Sequence, residues 1–352
     1  MPRFDRAALL TFAETLLTRA GMEADKAAVT AEVLVEGDMI GHETHGLQLI
    51  HWYLECLADG SLNGKGSHEV VADKGAGFVW DGRLLPGAWL MSKALDQAIE
   101  RVPDHGIVGA ALRNCHHTCA LSAYMRKATD RGLIVQISVS NPAARRVAPY
   151  GGTQPVLTPN PLAMGFPTSG DPILVDVSSS ITTTTMTQLL AKKGERYPEA
   201  WGLTADGQPT DDPREITERG GTMMPLGGAL KGHKGYGLGL IVDLLGQGLS
   251  GKGRANTEAP GPLAQSAFIQ VMDPDFFAGL GAFCEQSDWL AEACRSNPPA
   301  PWNKGAVRVP GDKASQLRRE ALAQGVPVAD NDLARMAKHA ERLGVALPAP
   351  VD

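Results

Sequence analysis

From about Lys74 onward the chain changes rhythm, and that change constrains its fold more than any other feature. Short apolar runs at Phe78-Val79-Trp80 and over residues 107–112, 133–139, 162–166 and 173–177 are bounded by turn residues and predict strands. Residues 88–101 and 120–130, lying between them, carry apolar side chains at helical spacing. A chain punctuated in this way has to pack helices against a sheet, so the fold class is α/β. Gly151-Gly152 and Pro155, Pro159 and Pro161 set turns between the strand-like runs.

The flanks read differently. Residues 5–37 form two amphipathic helices, the first opening after Asp5 as N-cap and ending at Gly21. A further helix is expected over 47–57, then a loop in DGSLNGKG. Residues 194–232, rich in Gly, Pro and Asp, read as a long excursion with little regular structure, a kind of segment that is often functional. The strongly apolar stretch 235–249 reads as a buried helix, 268–272 as a strand and 297–302 as a Pro-rich connection. After Pro310-Gly311-Asp312 two helices separated by GVPVAD are expected, the last with Leu333, Met336, Ala340 and Leu343 on one face. This suggests an N-terminal helical part at 1–74, an α/β part at 75–310 and C-terminal helices at 311–352 that pack with the first.

With 352 residues, 43% hydrophobic and 20% charged, the chain can bury a large core. A net charge of −6 gives no general attraction to phosphate backbones, so a nucleic-acid partner is not expected. No run reaches the length of a membrane span, and the amphipathic N-terminus, interrupted by Glu14, does not read as a signal peptide. Cys56, Cys115, Cys119, Cys284 and Cys294 lack the spacing of a disulfide framework, which points to free thiols and a cytoplasmic setting.

Chemistry is concentrated in a few short motifs. Gly41-His42-Glu43-Thr44-His45-Gly46 brings two imidazoles, a carboxylate and a hydroxyl together, and imidazole is the side chain best matched to proton transfer near neutrality. Asn114-Cys115-His116-His117-Thr118-Cys119 falls after a predicted strand and before a helix, where α/β enzymes present side chains to ligands. Its adjacent ligand types do not match the spacing of a zinc site, and no metal is expected. Ser140-Asn141-Pro142 and Thr158-Pro159-Asn160-Pro161 are turns at strand ends. Asp176 stands at a strand end ahead of Ser178-Ser179-Ser180 and reads equally as a functional carboxylate or as the cap of the next helix. Gly232-His233-Lys234-Gly235-Tyr236-Gly237 opens a helix with a lysine, an arrangement suited to a pyrophosphate. Gly246-Gln247-Gly248-Leu249-Ser250-Gly251-Lys252-Gly253 satisfies G-x-G-x-x-G and nearly satisfies a P-loop. Gly253, however, stands where Ser or Thr would hold magnesium, and GRANTEAPGP supplies no helix to receive phosphate.

In order, these motifs resemble those of the malate/L-lactate dehydrogenase-like oxidoreductases, a family that includes ureidoglycolate, sulfolactate and diketogulonate dehydrogenases and cyclic-imine reductases. Glu43-Thr44-His45-Gly46 is similar to the family's D-S-H-G, Asn114 to His117 to its N-S-N-H, and Ser140-Asn141 to its T-N turn. Thr158-Pro159-Asn160-Pro161 resembles G-T-N-P, Asp176-Val177-Ser178-Ser179-Ser180 resembles D-M-A-T-S, and Pro225 to Gly228 with Gly232 to Gly237 resemble P-L-G-G and G-x-K-G-Y-G. Pro310-Gly311-Asp312 resembles the late P-G-E.

The resemblance implies a non-Rossmann, nicotinamide-binding central domain, a helical domain built from both chain termini, and a homodimer holding NAD or NADP near the subunit boundary. It assigns His45 as proton donor with Thr44 and Asp176 in support, and His117 as a second histidine of acid/base type. Ser140, Asn141, Asn160, Pro161, Ser178, Ser179, Ser180, His233, Lys234, Gly235, Gly311 and Asp312 fall at its cofactor-binding positions. The implied reaction moves hydride between nicotinamide and C2 of a small 2-oxo or 2-hydroxy acid, or a related imine, while the imidazole handles the proton.

Three positions depart from the family. Glu43 replaces Asp, Leu49 stands where many members have an arginine suited to a substrate carboxylate, and Thr184-Thr185-Met186 replaces Arg-Gly-Lys. Arg145 or Arg146 is then the candidate for the carboxylate, and the substrate stays open between a 2-oxo acid, a cyclic imine and a less charged ketone. Two alternatives are a P-loop-like nucleotide hydrolase at 246–253 and a non-catalytic cofactor-binding relative.

Overall fold

The computed structural model of the chain describes residues 1–256 and 264–351. Its centre is a seven-stranded sheet in the order Glu69–Asp73, Gly77–Asp81, Ile107–Cys115, Gln265–Met272, Ile134–Ser140, Pro161–Phe166, Ile173–Ser178. Only Gly77–Asp81 and Ile107–Cys115 run parallel, joined by the helix Gly87–His105, and the other neighbours are antiparallel. The middle strand comes from late in the chain. Its Ala267, Ile269 and Val271 are fully buried, as are Leu90, Ala94 and Ala98 of the crossover helix, so the apolar runs became strands because they fill this core.

The N-terminal helices Arg6–Arg19, Ala24–Met39 and Ile50–Asp59 form where expected, with the Asp5 carboxylate accepting from Ala8 N at 2.9 Å. The C-terminal helices Asp312–Gln324 and Asp330–Leu343 return to them. Arg3–Phe4 pairs with Val326–Pro327, and Arg318 donates to Glu36 at 2.7 Å. Met336 and Ala340 are buried in the same apolar cluster as Leu9 and Leu16.

Several elements differ from expectation. Glu69–Asp73 adds an edge strand, and Leu280–Arg295 is a helix that the apolar pattern did not disclose. Within 194–232 lie three short strands in one sheet and the helix Pro213–Glu218. The apolar stretch expected to be a buried helix is helical over His233–Asp243 and continues as a π-helical turn Leu244–Gly248, but it is not buried. Leu240, Ile241, Leu244 and Leu249 are 38–68% exposed. The reason is that the helix turns its glycines inward: a Cβ on Gly235 would lie 2.4 Å from Leu226 N, and one on Gly239 3.1 Å from Leu157. That close approach leaves the leucines outside. Part of GRANTEAPGP, residues 257–262, lies outside the described residues. Among the described residues no helix is long and apolar enough to cross a membrane.

Candidate active site

The helix Ala24–Met39 ends at Ile40, and Gly41, with φ +81°, reverses the chain into two short 3-10 turns, Glu43–His45 and Leu47–Leu49. This presents His45 to a cleft that it helps to line. The Thr44 hydroxyl lies 2.9 Å from His45 Nδ1. Facing it, His117 sits in the reversal after the strand Ile107–Cys115, where Asn114 and Cys119 both adopt positive φ. The two imidazoles stack with centroids 5.6 Å apart and planes 18° from parallel. Cys119 N–H donates to His117 Nδ1 at 3.2 Å, so the neutral ring carries its proton on Nε2.

Asp176, two residues before the end of the Ile173–Ser178 strand, lines the same cleft. It does cap a helix, but an earlier one: its carboxylate accepts from Ser122 N at 3.0 Å, the first residue of Ser122–Thr129. Burial pushes the His45 pKa below its ordinary value, His42 adds to this, and the Asp176 charge opposes both. His117 is pushed further, to about 3, first by burial and then by the His45 and His116 rings.

The cleft measures about 680 Å³, and His45, His117 and Asp176 share it with Ser140, Asn141, Arg146, Asn160, Pro161, Ser178 and Ser180. Asn160 and Ser140 are engaged within the protein. Asn160 is fully buried, donates to Gly239 O and to Asp243, both at 2.9 Å, and accepts from Thr158. Gln247 donates to Ser140 at 2.8 Å, and Arg254 donates to Asp243 at 2.8 Å and to Ala144 O at 2.6 Å. Ser179 is buried against Pro159 O.

The remaining expected positions lie around or away from this cleft. Gly235 packs on Leu226, which lines it, while His233 and Lys234 are exposed in the first turn of the helix behind. Arg145 is exposed beside Arg146. Leu49 is partly buried against the main apolar cluster, so this position sends no charge into the cleft. Gly311 and Asp312 are not among its lining residues. Gly311, with φ +102°, packs under Pro172 and Leu174, and Asp312 pairs with Arg295 at 2.6 Å. Lining residues given no role from sequence include His42, Thr182, Thr185 and Gln265, whose side chain accepts from Thr118 N at 2.9 Å. The run of hydroxyls from Ser178 to Thr185 was the available signal for two of them.

A stacked pair of histidines and a carboxylate in one cleft of an α/β chain are groups able to exchange protons with a small molecule, and the chain's relatives are dehydrogenases and reductases acting on hydroxy acids and imines. The chain belongs to the malate/L-lactate dehydrogenase family, whose pattern matches residues 4–337. It is 33% identical to an L-lactate dehydrogenase of Cupriavidus necator, over 88% of this chain and 89% of that one. It is 32% identical to a Δ1-pyrroline-2-carboxylate/Δ1-piperideine-2-carboxylate reductase of Pseudomonas syringae pv. tomato, over 90% of each. The solved malate dehydrogenase of Pyrococcus horikoshii superposes with a TM-score of 0.86 at 28% identity, covering 98% of this chain and 96% of that one. Nothing in these comparisons supports a P-loop hydrolase at 246–253.

Proposed function

We propose that the cleft is the active site of an NAD- or NADP-dependent dehydrogenase or reductase acting at C2 of a small 2-oxo or 2-hydroxy acid, or of a related cyclic imine, with His45 as proton donor. The observation that carries this reading is the placement of His45 against His117 and near Asp176 in one cleft. With Nδ1 engaged by the Thr44 hydroxyl, Nε2 is the atom that exchanges a proton with substrate. A depressed pKa makes the imidazolium a ready acid in reduction and the neutral ring a base in oxidation. His117 has a different part. With its Nδ1 occupied and its pKa near 3, it stays neutral and offers Nε2–H as a fixed donor to the oxygen that gains charge.

The cleft fits a nicotinamide dinucleotide in size and in the hydroxyls along its wall at Ser178, Thr182 and Thr185. When bound, that cofactor supplies the hydride. Asn141, Pro161, Ser178 and Ser180 are assigned to hold it, with Ser140, Asn160 and Ser179 shaping the wall through their buried bonds. Lys234, with His233 and Gly235 at the helix start behind Leu226, is assigned to its phosphates, whereas Gly311 and Asp312, packed on Pro172 and Leu174 and paired with Arg295, are assigned no contact with it. Arg146 is assigned to the substrate carboxylate, with Arg145 beside it.

The predominantly antiparallel sheet supports a non-Rossmann cofactor domain, and the return of 311–352 onto the first helices supports a helical unit built from both termini; the pairing of Glu69–Asp73 with Gly77–Asp81 favours a division ahead of Glu69 over the expected one at 74/75. The exposed stripe Leu240, Ile241 and Leu244 supports a homodimer, and the free cysteines support a cytoplasmic setting.

Titration with NADH and NADPH by nicotinamide fluorescence, followed by pooled 2-oxo acids and cyclic imines, tests the reaction class. His45→Ala should lower kcat/KM by about 10²–10⁴-fold with cofactor binding intact. Native turnover in that variant removes His45 from the role.

A further inference from the structure

The loop that carries His45 leaves and rejoins the helix Ala24–Met39 at the same two residues. On the way out His42 N donates to Gly37 O at 2.8 Å, and on the way back Leu47 N donates to the Asp38 carboxylate at 2.9 Å. Contact there is close on every side. A Cβ on Gly46 would lie 2.0 Å from Asp38 Oδ1, and one on Gly37 would lie 3.1 Å from the His45 carbonyl oxygen. Asp38 is only 8% exposed.

We infer that Asp38 is the positioning residue of the His45 turn, its buried carboxyl group fixing the Leu47 amide and with it the backbone that carries the imidazole. This rests on His45 acting as the proton donor.

Two physical costs argue that the carboxyl group is kept for this purpose. Desolvating a carboxyl group is unfavourable, and here burial raises the Asp38 pKa well above the carboxylate range although the Leu47 amide pulls it down. Asp38 also occupies the last turn of its helix, whose carbonyl end disfavours negative charge. An apolar side chain at this position would avoid both costs, but it could not accept the Leu47 N–H. Gly46 follows from the same arrangement: the carboxyl group fills the space in which any side chain at 46 would begin. Asp38 touches neither the cleft nor the reacting atoms, so it acts through the turn.

The test compares native protein with Asp38→Asn, Asp38→Ala and Gly46→Ala, measuring kcat, KM, NADH affinity and amide hydrogen exchange of the 43–49 segment. The asparagine oxygen can still accept from Leu47, so kcat should stay within about threefold of native and exchange should be native-like. Asp38→Ala should lower kcat by roughly 30- to 300-fold, the scale for a catalytic group displaced by about an ångström, with NADH affinity within about twofold and exchange accelerated in 43–49. Gly46→Ala drives the carboxyl group out from the other side and should reproduce the kcat loss, which keeps the test decisive if Asp38→Ala does not fold. Native kcat and exchange in Asp38→Ala overturn the proposal, as does an Asp38→Asn protein as impaired as Asp38→Ala. Exchange does not depend on turnover, so absence of activity in native protein would count against the functional reading while the positioning role is still decided.

Discussion

His116 is buried, at 1% exposure, against Trp52 at 4.8 Å and Tyr53 at 5.4 Å between ring centroids, and neither ring nitrogen has a hydrogen-bond partner among the described residues. Burial pushes its pKa down to about 4. In the unfolded chain an imidazole titrates near about 6.5. Below that value the unfolded chain takes up a proton that the folded protein refuses, so stability is full above it and declines as pH falls towards the folded value. Between pH 8 and pH 5 the loss from this one ring is about 2 kcal/mol. Phenylalanine keeps a flat ring of similar size but cannot be protonated, so His116→Phe should remove this loss and leave the rest of the pH dependence in place, apart from the lesser push that the His116 ring gives His117. For a chain of 352 residues, 2 kcal/mol corresponds to about 2–3 °C in Tm. Thermal unfolding of both proteins at pH 8 and pH 5 should therefore show the variant gaining about 2–3 °C on native protein at the lower pH, beyond any gain at pH 8 from deleting two orphaned polar atoms. An equal gap at the two pH values, or a His116 ring proton that titrates near 6.5 by NMR, would refute the reasoning.

Asp176→Asn keeps an acceptor for Ser122 N but removes the charge that raises the His45 pKa, so the alkaline limb of the reduction pH–rate profile should move to lower pH while oxidation at high pH is unchanged. Arg146→Leu should raise KM for a 2-oxo acid by roughly 10- to 100-fold, the scale of lost charged hydrogen bonds, with NADH affinity unaltered in fluorescence titration. Asn160→Ala strands Thr158 and loosens Gly239 and Asp243 in a buried site, and should cost about 3–5 kcal/mol in denaturant unfolding.

The strands that sequence discloses are those that put several apolar side chains into the core, such as Ile134–Ser140 with Val135, Ile137 and Val139 buried. Glu69–Asp73 escapes detection because it is an edge strand with Val70 and Val71 exposed, so no alternation marks it. Leu280–Arg295 escapes because its buried residues are Ser287 and Ala291, while Trp289 and Leu290 are 69% and 53% exposed. A pattern search for an apolar inner face has nothing to find there. In the His233–Asp243 helix the same logic is inverted, since glycines make the inner face and leucines the outer one.

The candidate site divides along the same line between local and distant chemistry. His45 was legible because Thr44 and Gly46, which shape it, are its neighbours in sequence. The wall behind the cleft was not, because Ser140 and Asn160 are tied by Asp243, Gln247 and Arg254, side chains that lie about a hundred residues further along. This also explains the glycine run that mimics a phosphate loop. Gln247 turns inward to donate to Ser140 and to accept from Arg254 N at 2.9 Å. A Cβ on Gly253 would then lie 2.5 Å from the Gln247 side-chain oxygen, Gly251 adopts a φ of +69°, and a Cβ on Gly246 would make only ordinary contact with the Ser266 backbone at 3.4 Å. Gly253 is therefore set by the protein's own amide side chain and Gly251 by its left-handed backbone, so part of this glycine run arises without a nucleotide.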